Sequence, residues 1–215
     1  SNPATVNAAG TINTTDTRMD IGAVTLTAAT TFDTGNAAAG ILNIGAVTSG
    51  ANSLTLDSGS TALATMSLTS MVDASGGLTI RDAGGLATIG DIGSGTAGAV
   101  TITDSTDGVT FSGNVDSTTL TITDTTDAKV IQFAQGGDVD ITTSFATANQ
   151  GYAVTINSST FDAAGDTNFL NTGTVILGND GTDALTFTGG LATTGNGSNP
   201  ATVNAAGTIN TTDTR

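Results

Sequence analysis

Short stretches in which apolar and polar residues alternate recur along the whole chain. They include Val24-Thr25-Leu26-Thr27, Leu54-Thr55-Leu56-Asp57, Leu78-Thr79-Ile80-Arg81, Val100-Thr101-Ile102-Thr103 and Leu120-Thr121-Ile122-Thr123. Val139-Asp140-Ile141-Thr142, Val154-Thr155-Ile156-Asn157 and Leu185-Thr186-Phe187-Thr188 continue the series. A period of two is the mark of a strand with one buried face. Clusters of Gly, Asn, Asp and Ser separate the stretches, at residues 75–77, 82–85 and 179–182 for example. Such clusters turn the chain through positive φ and side-chain-to-backbone hydrogen bonds. No segment combines apolar residues at helical spacing with caps.

The distance between strand anchors decides the architecture. Leu78, Val100, Leu120 and Val139 follow one another at a nearly even step, and Val154 to Val175 repeats it. Two intervals break the rhythm: Val24 to Leu54 is longer and Val175 to Leu185 is shorter. A repeat of about 20 residues holding two or three short strands is one coil of a solenoid. The intermediate strands are visible at Val109-Thr110-Phe111, Val115, Thr160-Phe161 and Asn168-Phe169-Leu170. One coil cannot bury its inward Val, Ile and Leu alone, whereas coils stacked at ~4.8 Å pair every strand on both sides. The pattern predicts an all-β chain, a right-handed parallel β-solenoid (β-helix). The rival is a tandem of immunoglobulin-like β-sandwiches, which the turn spacing also suits. Against the sandwich stand the lack of half-unit self-similarity, the absence of Trp and a single Tyr, Tyr152.

A longer period is superimposed. Residues 1–18 and 198–215 both read SNPATVNAAGTINTTDTR, an identity at every position with an offset of 197. The expected organisation is one repeat unit over 1–197 and the start of the next identical unit over 198–215. The residues after Arg215 should then repeat Met19-Asp20-Ile21, and neither end is expected to be a natural terminus. Seamless stacking of such units requires a matching top and bottom on each.

Composition narrows the function. All 19 acidic residues are Asp, and Glu, His, Cys and Trp are absent. From Met19 to Arg215 there are 18 Asp against three cations, a net charge of −15 per unit. This charge repels nucleic acid and anionic lipid and keeps a long polymer soluble. No run approaches the ~18 apolar residues of a membrane span. The 46 Thr and 29 Gly suit pleated surfaces and turns rather than helices. Disulfides and thiolate metal sites are excluded. So are Ser-His and Cys-His nucleophile systems, and acid–base work would fall to Asp alone. The expectation is a chain that is not an enzyme.

Four aspartates are candidate metal ligands. Gly178-Asn179-Asp180-Gly181-Thr182-Asp183-Ala184-Leu185-Thr186 approaches the G-G-x-G-x-D-x-U-x calcium repeat, with Asn179 in place of the second Gly and no adjacent second copy. The bland alternative is a turn before a strand. Asp104 and Asp124, separated by the same step as Val100 and Leu120, would stack if adjacent coils align, and like charges so placed need a cation or solvent between them. Calcium, which takes oxygen ligands only, is the cofactor these residues would accept. Paired carboxylates also occur at Asp104/Asp107, Asp124/Asp127 and Asp138/Asp140. Thr25/Thr27, Thr101/Thr103, Thr121/Thr123 and Thr186/Thr188 would project outward, as a threonine ladder of an ice-binding β-helix does or as ordinary strand surface.

The segments GANSLTLDSGSTALATMSLTS and AGAVTITDSTDGVTFSGNVDSTTLTITDT resemble the repeat regions of filamentous-haemagglutinin-like giant exoproteins and related bacterial β-strand-repeat surface proteins. The likeness lies in LTL and VTI strands, Gly-Asn-Ser turns and missing Cys, and carries over no binding residue. It implies a secreted right-handed β-solenoid that serves adhesion, cell–cell contact or encasement. The combined expectation is a structural unit of an extracellular bacterial fibre, sheath or surface layer. Its partners would be copies of its own repeat and, at the cell surface, polysaccharide. A giant-adhesin stalk holding a tip outside these residues, and a carbohydrate-active β-helix, are the other readings.

Overall fold

In a computed structural model that describes residues 4–194 and 199–212, the chain is a three-faced parallel β-solenoid. Among the described residues 21 strands form one continuous sheet in which every pairing is parallel, and one 3-10 turn, Ala74–Gly76, interrupts it. The parallel pairing overturns the sandwich alternative, which needs antiparallel sheets. The sequence identity at the two ends includes residues 1–3, 198 and 213–215, which lie outside the described residues.

Each coil places one strand on each of three faces. On face I the inward side chains stack in the order Leu42, Met66, Ala87, Val109, Ile131, Val154 and Val175. On face II the stack runs Val24, Val47, Met71, Ile92, Val115, Val139, Phe161, Leu185 and Ile209. On face III it runs Ile12, Phe32, Leu56, Ile80, Ile102 and Ile122. Alternation along each strand sends these residues inside and their neighbours outside. Apart from Ile12 and Ile209 at the two ends, all of them are buried. The chain turns from face I to face II at a tight corner, where close coil approach demands glycine. A Cβ on Gly90 would lie 2.0 Å from the carbonyl oxygen of Thr69 in the neighbouring coil.

The interior holds aromatic rings. All seven phenylalanines are buried, and six form one cluster along the axis. Phe133 stacks on Phe111 with ring centres 5.1 Å apart and planes 8° from parallel. It meets Phe145 and Phe161 edge to face at 6.2 and 5.6 Å. Phe145–Phe169 and Phe161–Phe187 extend the cluster. Coils before Phe111 fill the same space with Leu, Ile, Val, Met and Ala and with one ring, Phe32.

Tyr152 is also fully buried, at the corner between faces III and I. Its hydroxyl donates to the Ile122 carbonyl (3.1 Å) and accepts from the Ala148 amide (2.8 Å). Burial is the main force that pushes its pKa up to about 12. Tyr152→Phe keeps the ring and strips both backbone groups of this partner. The Ala148 amide still donates to the Ile122 carbonyl at 3.0 Å, so unfolding in urea should show a loss of about 0.5–1.5 kcal/mol, and an unchanged midpoint would contradict that role.

The two copies of the terminal segment fold onto different faces. Near the N-terminus Val6–Ala8 pairs with Val24–Leu26 on face II, and Gly10–Asn13 with Thr30–Asp33 on face III. Near the C-terminus Val203–Ala205 pairs with Val175–Leu177 on face I, and Thr208–Thr211 with Ala184–Phe187 on face II. Sequence twins therefore sit one face apart. The cause is chain continuity. The first copy must deliver Met19–Ile21 to face I, where it pairs with residues 42–44. The second leaves Leu191–Ala192 on face III and takes the next face in order. Both copies bend at the same glycine, with φ of 72° at Gly10 and 79° at Gly207. The segment is one strand–bend–strand module that fits either corner.

Candidate functional site

In-register parallel coils turn any recurring residue into a column. Three aspartates close successive face III strands: Asp33 pairs with Asp57, and Asp57 with Asp82 across a bulge that admits Arg81. Ile80, Ile102 and Ile122 pair in turn, so Asp104 and Asp124, each two positions past its isoleucine, continue the column. Five successive coils thus present a carboxylate at one corner. The residue after each aspartate is buried: Thr34, Ser58, Ala83, Ser105 and Thr125. Ser58 donates to the Ala64 carbonyl (2.8 Å), and the Ser105 and Thr125 hydroxyls meet at 2.5 Å. Asp33 and Asp57 accept the amides of Gly35 and Gly59, each at 2.8 Å. This D-[TSA]-G turn, present at residues 33, 57 and 82, was legible but hidden by a spacing wider than the step between the strand anchors.

Arg81 neutralises one end of the column. Its Nε donates to Asp57 and its Nη2 to Asp33 at 3.1 Å. Asp82, on the far side, has its carboxyl held above the ordinary value, mainly by burial and then by the charges of Asp104 and Asp57. Its Oδ1 is buried without a hydrogen-bond partner. An open groove lined by Asp33, Gly35, Asn36, Asp57, Gly59 and Asp82 runs beside it.

Asp180 and Asp183 lie elsewhere, in the turn from face I to face II. Asp183 is 2% exposed, and its Oδ2 accepts the amides of Asn179 (2.7 Å) and Asp180 (3.3 Å). Asp180 Oδ1 accepts the amide and hydroxyl of Thr182, at 2.8 and 2.6 Å. These bonds hold the Asp180 carboxyl below the usual range. The pair closes a turn, and the coil on its far side presents Ala206–Gly207–Thr208 there. The four candidates fall at two corners and do not form one site. Among the described residues no group of three or more acidic side chains is arranged to hold a metal ion.

A second column, on face II, escaped sequence reading. Asp116 pairs with Asp140, and Asp140 with Asp162. Burial, then Asp140 and Asp138, raise the Asp116 carboxyl. A folded-state value above the unfolded one means that this group's contribution is fully present below the unfolded value and is lost as pH rises through the folded one. Asp116→Asn should therefore stabilise the fold at pH 7, by up to about 1 kcal/mol, and the gain should shrink on acidification and be gone below the ordinary aspartate value of 3.8. Melting curves across pH test this, and a gain independent of pH would refute it.

Polar side chains also bind coil to coil. Asp91 Oδ1 accepts the Asn114 amide (2.8 Å), Asn114 Oδ1 accepts the Asp138 amide (3.0 Å), and Asp138 Oδ1 accepts the Thr160 hydroxyl (2.9 Å). Asp20, Asn43 and Ser67 form a similar staircase on face I. Lys129 pairs with Asp107 at 2.7 Å. The threonine pairs do not share one surface. Thr101 and Thr121 belong to a face III column that also holds Thr11, Thr31, Thr55 and Thr79, whereas Thr25 and Thr186 lie on face II.

No helix of the described residues is long and apolar enough to cross a membrane. Compared with protein-family models, curated proteins and solved structures, the chain has no significant match.

Proposed function

We propose that the chain is a structural unit of a long extracellular bacterial fibre, sheath or surface layer in which successive units continue one solenoid. One observation carries this reading. Residues 203–211, identical in sequence to residues 6–14, are laid down as a further parallel coil on the coil below them. A repeat that begins as another coil extends the solenoid rather than starting a separate domain. Two features support the reading. The outer surface carries the excess of aspartate, which keeps laterally adjacent polymers apart. The inter-coil hydrogen bonds and continuous apolar interior bind every coil to its neighbours.

Electron cryo-microscopy of a chain holding three consecutive units tests the proposal. The expected image is an unbroken rod with strands across the axis at ~4.8 Å and an advance of about 45 Å per unit. Separate beads on linkers, or strands along the axis, would refute it. Antibody labelling of intact producing cells tests the location.

A further inference from the structure

We infer that the corner between faces III and I, at the level of Leu63, is a lateral docking ridge that takes the same ridge of a second, antiparallel copy of this chain. The inference goes beyond the array reading, since it concerns the flank of the solenoid and holds for a single unit. The two most exposed large apolar side chains among the described residues, Leu63 (72%) and Leu86 (43%), both stand on this corner. Ala38, Ala39 and Ala62 are exposed beside them. The three successive loops that carry them, residues 34–41, 58–65 and 83–86, contain no charged residue. Hydrogen bonds stack these loops directly. The Thr61 hydroxyl donates to the Asn36 carbonyl at 2.8 Å, and the Gly85 amide to the Ala64 carbonyl at 2.9 Å. The five apolar side chains therefore form one ridge on a chain whose net charge is −15. A contiguous exposed apolar patch with a polar rim marks a contact with another molecule.

The backbone gives a second, independent sign. Leu63 is held at a φ of 78°, in the left-handed region that leucine seldom enters. A strained turn that holds a leucine out in water gains nothing inside this chain, as expected where the contact lies on another molecule.

Charge selects the occupant and its direction. The loop stack continues one coil each way. The Asn36 amide donates to Asp16 Oδ1 at 2.8 Å, which places residues 14–18 below. The Thr106 amide donates to the Ala83 carbonyl at 2.7 Å, which places residues 103–108 above. Arg18 and Asp107 thus flank Leu63 at two coils, or ~10 Å, on either side. The Arg18 side chain is 57% exposed and holds Asp20 through Nε, and a guanidinium has further donors to offer. The Asp107 side chain is 35% exposed and holds Lys129. A two-fold axis across the solenoid at Leu63 sets leucine on leucine and Leu86 on the Ala38–Ala39 loop. It also sets Arg18 of each copy against Asp107 of the other, and Asp16 against the Lys129 ammonium. Parallel apposition would instead oppose Arg18 to Arg18 and Asp107 to Asp107. The antiparallel contact is isologous. Along two continuous arrays it would recur once in every repeat and gain by multivalency, while aspartate repulsion keeps the remaining surfaces apart.

The absence of cysteine makes a disulfide test clean. Full-length Ala62→Cys is oxidised beside full-length Ala99→Cys, an exposed position on face III away from the ridge. Ala62→Cys should dimerise about tenfold faster, and adding Leu63→Asp should remove that advantage. Arg18→Asp should slow the reaction several-fold at low salt and less at high salt. Circular dichroism verifies that each variant keeps its β content. Direction is read from an equal mixture of Ala38→Cys and Leu86→Cys chains. The 38–86 heterodimer should outrun both homodimers. Three results would overturn the inference: an Ala62→Cys rate no higher than that of Ala99→Cys, a rate indifferent to Leu63→Asp, or 38–38 and 86–86 products in excess of 38–86. Dimers of the single chain together with separate beads in the three-unit chain would sink the array reading alone. Continuous rods whose chains fail these cross-links would sink the docking inference alone.

Discussion

Replacing Phe133 by alanine is expected to lower the unfolding free energy by about 3–5 kcal/mol. The ring is 1% exposed and touches phenylalanines from all three faces: Phe111 on its own face, Phe161 on face II and Phe145 on face III. Truncation removes the apolar area of the ring and the three aromatic contacts together. The interior cannot collapse around the gap, since each neighbouring ring is fixed by hydrogen-bonded strands on both sides. Chemical denaturation measures the loss directly. Leu63→Ala, at a side chain 72% exposed, is the control and should move stability by less than about 0.5 kcal/mol. Equal effects at the two positions would mean that the aromatic cluster is not the centre of packing.

Leu120→Asp should split the molecule rather than merely weaken it. Leu120 is fully buried in mid-solenoid and pairs with Val100 on one side and Phe145 on the other. A carboxylate there has no cation to meet and costs several kcal/mol. In a solenoid each coil contacts only its neighbours, so stability is close to a sum of nearest-neighbour contributions. The injury should stay local. Hydrogen exchange should show protection lost across Gly98–Ile102, Val115–Ile122 and Asp138–Thr147, while Leu42–Thr48 and Met66–Val72 stay protected. Urea unfolding should resolve into two steps. A single cooperative loss across all strands would show that coupling reaches much further than one coil.

The strands were legible because a period of two needs no knowledge of the neighbouring coil. All eight alternating segments are strands, and the step from Val100 to Leu120 is a true stacking distance. The two intervals that broke the rhythm compare residues on different faces. Val24 stacks on Val47, and Leu54 on Thr30; Val175 lies on face I and Leu185 on face II. The step from Leu120 to Val139 fitted by coincidence, since Leu120 stacks on Phe145. Coil length varies because the corners absorb insertions while the strands keep register. For that reason the Asp104/Asp124 step could be read from a constant spacing, whereas the Asp116, Asp140 and Asp162 column could not. Its two rungs are of unequal length in sequence and neither matches the Val100-to-Leu120 step. In the sequence Arg81 is only the polar end of the Leu78-Thr79-Ile80-Arg81 alternation; its clasp on Asp33 and Asp57 needs two distant coils to be brought together.

Backbone hydrogen bonds between coils run along the axis of this molecule. That direction decides how it responds to a pull. Tension on the two ends loads the bonds of one coil at a time, as a zip is loaded, instead of shearing many coils together. Each coil that yields frees roughly 70–80 Å of slack at the extended length per residue, while the coils behind it keep their partners. A filament built on this plan would be stiff at small strain and would lengthen in steps beyond it, dissipating a shock before the chain itself is at risk.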